Sequence, residues 1–220
     1  MKHNLLLTIG GLVLSSGIAS GEYIDLHLVE VAVDGGGTVP GTTSWRLYAE
    51  FDNANDQLNS VGGSPSSQGV IASANGFYQN VMGGPFGFDI NEALYSFFPS
   101  LEFDSWVTIG GIASNTTNNN VDTTFFETGG NFYINDGSWS LPQGNPYAFA
   151  STVGGMTNFN VLVGQLTTYG SGVESRPWGQ LNLSGYDSLG NSWSIDGTPI
   201  PAPSAIVLFG VFGTIARRRG

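Results

Sequence analysis

The chain has 220 residues, no cysteine and a formal net charge of −11. Disulfide bonds and cysteine nucleophiles are therefore excluded, and the shortage of Lys and Arg argues against nucleic acid as a partner. With 33 glycines, 14 phenylalanines and only 10% charged residues, the composition is typical of short strands and turns around an aromatic core.

Residues 1–20 have the layout of an export signal. Lys2 gives a weakly positive start, Leu5–Leu14 form an apolar centre, and small residues follow up to Ser20. An apolar centre this short is typical of a cleaved leader rather than of a membrane anchor. We predict a helical signal peptide over residues 1–20 and an exported domain over residues 21–197, in which two arginines stand against all 17 acidic residues.

Short alternating segments follow the leader. The clearest is 45–51, where Trp45, Leu47, Ala49 and Phe51 share one face. In 22–33 the alternation changes phase, which predicts a bulge near Leu28-Val29 or burial of both faces. Further strands are predicted around 69–73, 77–81, 103–109, 122–127, 160–168, 180–185 and 192–195, with one or two helical turns over 89–98. The pattern predicts one all-β domain, an antiparallel β-sandwich of jelly-roll-like type.

A polar loop follows the clearest strand. It concentrates side-chain oxygens at Asp52, Asn53, Asn55 and Asp56. Carboxylate and carbonyl oxygens in a flexible loop suit Ca²⁺, although the spacing fails the EF-hand pattern. Asp and Asn are also the usual turn formers, so an ordinary turn is the other interpretation.

Catalytic options are few. No lysine lies beyond the leader, and His27 is the one histidine there, with no Gly-x-Ser-x-Gly motif to accompany it. Paired carboxylates remain: Glu102 and Asp104 would share a strand face, with Asp122 or Glu127 opposite, as glycoside hydrolysis requires. Solvated strand residues are the alternative interpretation of the same acids.

Aromatic residues could instead bind a glycan. Trp139, Trp178 and Tyr186 stand beside turn-forming residues, as exposed rings would. Trp45 and Trp106 alternate with apolar neighbours, which indicates core positions.

The end of the chain combines three parts. Residues 198–204 form a predicted linker that contains Pro199, Pro201, Ala202, Pro203 and Ser204. An apolar run over 205–216 and the basic cluster Arg217, Arg218 and Arg219 complete the segment 205–220. Twelve residues of helix rise about 18 Å, less than the roughly 30 Å of a bilayer core. We therefore expect a short C-terminal helix that inserts transiently into a membrane.

This order of parts resembles the PEP-CTERM sorting signal of Gram-negative bacteria, with Pro201-Ala202-Pro203 where that family has Pro-Glu-Pro. The segments GFYQN and VLVGQLTTYG, among others in 45–185, resemble exported proteins of planctomycete-type bacteria that carry such tails. The resemblance implies cleavage by an exosortase-like protease and delivery to the cell surface. We expect an extracellular structural, adhesive or glycan-associated protein with polysaccharide as a possible partner; the alternative is a carboxylate-dependent glycan hydrolase.

Overall fold

The computed structural model describes residues 23–201, which fold into two antiparallel sheets that share one core. The predicted all-β fold is confirmed, since strands dominate and the helical parts are a four-residue helix α1 (Thr124–Glu127) and short 3₁₀ turns. The strands are β1 (Tyr23–Val33), β2 (Thr42–Phe51), β3 (Gln57–Gly63), β4 (Gly69–Ala72), β5 (Trp106–Val107), β6 (Thr117–Asn119), β7 (Phe132–Ile134), β8 (Gly137–Ser140), β9 (Ser151–Thr152), β10 (Phe159–Tyr169), β11 (Trp178–Tyr186) and β12 (Ser192–Ile200).

The five-stranded sheet has the order β1-β2-β10-β5, with β9 beside β10. Its strand β1 is irregular, as predicted, but its two register shifts fall between Tyr23 and Asp25 and between Glu30 and Ala32 rather than at Leu28-Val29. Leu26 and Leu28 are the buried residues of β1, whereas Ile24, Val31 and Val33 remain 47%, 42% and 49% exposed. Burial of both faces is therefore wrong for this strand.

The seven-stranded sheet is organised around β11. Strands β3 and β4 pair with successive parts of one edge of β11, and β12 pairs with its other edge. Strands β8 and β6 continue the sheet beyond β3, and β7 continues it beyond β4. One row therefore crosses five strands in the order β6-β8-β3-β11-β12.

The core lies between the two sheets. Trp45, Leu47, Ala49 and Phe51 all face it, as the alternation of β2 predicts. On the other side the rings of Phe126 and Phe132 stack 4.8 Å apart, and Trp139 continues the row 5.9 Å further on. Each such ring contributes about 1.5–3 kcal/mol by leaving water.

The segment 122–127 was expected to be a strand, and this prediction is wrong. Asp122 accepts a hydrogen bond from the Thr124 amide at 3.0 Å, and the Glu127 amide donates to the Thr123 carbonyl at 2.9 Å. These local bonds close one helical turn, α1, in which only Phe126 is buried. These local hydrogen bonds thus outweigh the strand propensity of the Thr and Phe residues.

Two other loops differ from the prediction. Residues 77–81 form no strand beyond an isolated bridge from Phe77 to Thr168. The one or two helical turns expected over 89–98 are present as 3₁₀ turns, Glu92–Leu94 and the end of Gly87–Asp89. The predicted strand over 103–109 shrinks to β5, because Pro99–Phe103 forms a 3₁₀ turn in front of it.

The predicted linker begins too early. Strand β12 continues to Ile200, where Thr198 and Ile200 are buried and pair with Leu181 and Gly179. Pro199 is tolerated there because β12 is an edge strand and one of its sides needs no amide donor. The domain therefore extends three residues past the predicted boundary at 197.

The predicted signal peptide over 1–20, and the sorting residues Ala202, Pro203, Ser204, Arg217, Arg218 and Arg219, lie outside the described residues. Within 23–201, no helix has both the length and the apolar character needed to cross a membrane.

Candidate functional site

The predicted carboxylate set does not come together on one strand face. Glu102 is exposed on the 3₁₀ turn Pro99–Phe103, whereas Asp104 is completely buried just after it. The Asp104 carboxylate accepts hydrogen bonds from the Asn80 amide at 2.6 Å and the Ser105 amide at 3.0 Å. Burial raises the pKa of Asp104 to about 7, although the backbone donors lower it. Asp104 therefore ties the loop at Asn80 to the sheet and does not pair with Glu102.

His27 is part of a surface cluster on the five-stranded sheet. Its ring stacks on Tyr48 at 5.7 Å, and its Nδ1 lies 3.7 Å from a Glu50 oxygen. Burial lowers the pKa of His27, while Glu50 and Asp25 act in the opposite direction. These contacts give His27 a structural environment, stacked on one ring and close to one carboxylate.

The predicted calcium loop folds as a set of turns. The Asn53 side chain accepts a hydrogen bond from the Asn55 amide at 2.9 Å, and the Asp56 amide donates to the Asn53 carbonyl at 3.2 Å. Asp56 is buried, and burial raises the pKa of its carboxyl to about 6. The Ser188 and Asn53 amides lie beside this carboxyl and lower its pKa.

These two amides thus lie near the Asp56 carboxylate, although neither of its buried oxygens makes a hydrogen bond of standard geometry within 23–201. The neighbouring Asp187 is occupied, since it accepts hydrogen bonds from the Leu189 and Asn191 amides. Across residues 23–201, no group of three or more acidic or histidine side chains is placed to hold a metal ion. The contacts of Asp52, Asn53, Asn55 and Asp56 fit the turn interpretation.

The predicted aromatic platforms separate into two kinds. Trp139 is completely buried and donates from its indole nitrogen to the Thr108 carbonyl at 2.9 Å, so its exposure was predicted wrongly. Trp178 is 44% exposed, and Tyr186 is half-buried. Trp45 and Trp106 are buried, as predicted.

The outer face of the seven-stranded sheet carries a shallow groove. It consists of two adjoining depressions of about 590 and 510 Å³ that share Ser60, Ser184 and Ser194. Small polar side chains and glycines dominate the first, and Tyr186 stands at the far end of the second. The remaining residues of the first depression are Gly62, Gly63, Asn119, Asn120, Asp136, Gly137, Ser138, Asn182, Leu183 and Asp196, and those of the second include Asn59, Ser140, Gln143, Ser192 and Trp193.

A row of hydroxyl side chains crosses this groove and extends past its edge to Thr117, which lines neither depression. Pairing in register places Thr117 of β6 beside Ser140 of β8, then Ser60 of β3, Ser184 of β11 and Ser194 of β12. We call these five residues the hydroxyl row. They face outward because their neighbours in sequence face the core. Those neighbours include Trp139, Val61 and Leu183, which are all buried.

Most of the row is free to bind a ligand. Ser140 accepts a hydrogen bond from the Asn119 amide nitrogen at 2.7 Å. The hydroxyls of Ser60, Ser184 and Ser194 make no side-chain hydrogen bond to any residue within 23–201. Each hydroxyl can both donate and accept, so the row offers several unsatisfied hydrogen-bonding groups at one surface.

The surface beside the row is held rigidly. A Cβ on Gly62 would lie 2.2 Å from the Gly137 carbonyl oxygen, so no side chain fits at that point of the floor. The Asn182 side chain accepts from the Gly197 amide and the Ser67 hydroxyl, both at 2.8 Å, and donates to the Ser67 carbonyl at 2.9 Å. The groove is therefore pre-formed rather than closed around a ligand.

The groove contains no basic side chain. Of the two arginines in the described part of the chain, Arg176 lies over the Trp45 ring at 5.9 Å, and Arg46 faces the outer side of the other sheet. The groove's ionisable groups are the exposed Asp136 and Asp196. Hydrogen bonding with neutral ligands is the chemistry that this surface supports, and anionic ligands are disfavoured.

A second, smaller cleft lies on the five-stranded sheet. It measures about 270 Å³ and is bordered by Arg46, Glu92, Tyr95, Glu102 and Trp106. Burial, followed by Glu92 and Glu102, raises the pKa of Tyr95 to about 12. Glu102 thus meets Glu92 across this cleft instead of the predicted partners Asp104 and Glu127.

The hydroxyl row was not predicted from the sequence. Part of the signal was present, since Leu181–Ser184 alternates apolar and polar residues, and Gly137–Ser140 does so around Trp139. Alternation assigns a side chain to a face but does not say which residue of the next strand lies beside it. The row depends on that register in four successive pairings.

No protein-family model matches this chain, and neither a curated protein nor a solved structure shows significant similarity to it.

Proposed function

We propose that this chain is an exported cell-surface or extracellular-matrix protein that associates with neutral polysaccharide through the groove of the seven-stranded sheet, without catalysing a reaction on it. The hydroxyl row is the observation that carries the proposal. Sugars present closely spaced hydroxyls, and the row offers donors and acceptors of the same kind on a rigid surface.

The charge distribution supports a neutral polymer. A nucleic acid or an acidic polysaccharide would approach Asp136 and Asp196 with no Lys or Arg in the groove to balance its charge. A neutral glycan meets no such repulsion, because its hydroxyls interact by hydrogen bonding alone.

The export part of the proposal depends on the two ends of the sequence. An exosortase-like protease that cuts near Pro201-Ala202-Pro203 would leave β12 complete, since the strand ends at Ile200. A cut before Thr198 would remove two buried residues that pair with β11. We therefore expect processing after Ile200, following transient membrane insertion of the apolar run.

Mass spectrometry of the surface-bound protein tests the sorting step. We expect a mature form that begins near residue 21 and ends between Pro201 and Ala205. Mature, released protein that still carries Arg217–Gly220 would contradict processing.

Binding is tested by affinity electrophoresis and calorimetry with a panel of neutral polysaccharides. The double variant Ser60→Ala/Ser184→Ala removes two unpaired hydroxyls, and loss of two neutral hydrogen bonds should weaken binding about fivefold or more. The matched control is Ser96→Ala/Ser171→Ala, which removes two exposed hydroxyls outside the groove. Equal loss in both double variants, or binding to none of the polysaccharides, would overturn the proposal.

A further inference from the structure

We infer that the polysaccharide lies across the strands, along the hydroxyl row, and that it is a single extended β-linked chain. This inference rests on the proposed function and names the class of polymer that the same groove would take. It follows from the direction in which equivalent side chains repeat.

Across the strands the same chemistry repeats at every step. The row passes from Thr117 to Ser194 over five strands, and neighbouring strands lie about 4.7–4.9 Å apart. Four such steps span roughly 19 Å. A hydroxyl therefore recurs at the strand spacing along the whole row.

Along the strands a hydroxyl does not recur over a comparable length. Outward positions of one strand recur only every second residue, about 7 Å apart. In β3, Ser60 is followed by Gly62, which has no side chain, and in β11 Ser184 is preceded by Asn182, whose side chain is already bonded to Ser67 and Gly197. In β8 and β12 a second outward serine, Ser138 or Ser192, lies two residues from the row. A polymer laid along one strand would therefore meet at most two hydroxyls, against five across the strands.

An extended β-linked hexose chain advances by one sugar over a length close to the strand spacing. Laid along the row, it places successive sugars over successive hydroxyls, so four or five sugars would occupy the site. An α-1,4-linked chain of the same sugar curves into a helix and departs from this spacing after one or two sugars.

Sheet twist adds a second restriction. Adjacent strands are rotated by about 20–25°, so over four steps the row turns through roughly 80–100°. A free single chain can follow such a turn by small changes at each linkage. The flat face of a crystalline polysaccharide cannot, and it would contact only part of the row.

The test is calorimetry of the complete domain with soluble β-linked gluco-oligosaccharides of two to eight sugars, alongside α-linked oligomers of equal length. We expect the affinity to increase with each sugar up to four or five and then to level off, and α-linked oligomers to bind at least about tenfold more weakly. Ser60→Ala, at the centre of the row, should weaken binding of every length. Thr117→Ala, at its end, should weaken binding of pentamers and leave trimers unchanged.

The outcomes separate this inference from the function that it rests on. If affinity stops increasing at two sugars, or α-linked and β-linked oligomers bind equally, the orientation is wrong while polysaccharide binding survives. If Thr117→Ala and Ser60→Ala have the same length dependence, the row is not the binding axis. If no neutral oligosaccharide or polysaccharide binds, both proposals fail, provided that circular dichroism shows the variants folded.

Discussion

Raising the pH from about 4 to about 8 should destabilise this domain, and Asp104 should account for much of the loss. Its carboxyl is completely buried, and burial raises its pKa from 3.8 to about 7. Between those two values the folded state binds more protons than the unfolded state. The free energy of unfolding therefore decreases as the pH rises through this window.

The size of the stability loss follows from the pKa shift of Asp104. One pKa unit corresponds to 1.36 kcal/mol, so a shift from 3.8 to about 7 removes at most about 4 kcal/mol. Asp56 and Asp89, whose pKa values burial also raises, act in the same direction. His27 acts in the opposite direction below about pH 6.5, because burial lowers its pKa and its neutral form is favoured in the folded state.

The assay is urea unfolding followed by tryptophan fluorescence at pH values from about 4 to 8, for the wild type and for Asp104→Asn. The asparagine keeps one acceptor oxygen for the Asn80 and Ser105 amides but has no proton to lose. We expect its stability to depend on pH less steeply than that of the wild type. Glu30→Gln, which removes an exposed carboxylate, is the control and should keep the wild-type slope. An unchanged slope in Asp104→Asn, or wild-type stability that increases with pH, would refute the reasoning.

Three further predictions concern the groove and the last strand. Gly62→Ala should lower the melting temperature by several degrees, because the added Cβ would lie 2.2 Å from a carbonyl oxygen. The control is Gly154→Ala, whose Cβ would enter open space, and this variant should melt near the wild type. Equal melting temperatures of the two variants would contradict the close approach at Gly62. A chain truncated after Pro201 should still unfold in one cooperative transition. A chain truncated after Asp196 loses the end of β12 that pairs with β11, so its transition should be broadened or lost. Similar transitions in the two truncated chains would contradict this prediction. The affinity of the groove for polysaccharide should change less than about twofold between ~0.05 and ~0.5 M NaCl, because no Lys or Arg lines the groove. A steep salt dependence would indicate that the polysaccharide binds elsewhere on the protein.

The long strands were predictable from the sequence because one of their faces is buried. The alternation over 45–51 matches β2, and the segments 160–168 and 180–185 match β10 and β11 within two residues. The burial of Trp45 and Phe51 follows from the same periodicity. In these segments the two-residue period is sufficient to define both the element and its inner face.

Strand β3 was not predicted, although it is central to the groove. Its sequence, QLNSVGG, contains two glycines and three polar residues, which weaken strand propensity. It is a strand because β8 and β11 pair with both of its edges and its Leu58 and Val61 fill the core. Those are long-range contacts, and no local pattern encodes them.

The two outer faces of the sandwich carry different kinds of polar side chain. The five-stranded sheet carries His27, Arg46 and Glu50 on its outer side, with Glu92 and Glu102 beside its cleft. The groove of the seven-stranded sheet carries hydroxyls and amides, with its acids at Asp136 and Asp196. An acidic domain can therefore approach a neutral polymer with little charge at the proposed contact surface, while most carboxylates remain hydrated elsewhere. Because no ion pair can contribute to binding in the groove, the affinity for the proposed polysaccharide must depend on the number of hydroxyls in the hydroxyl row. That number is set by the register in which the five strands pair.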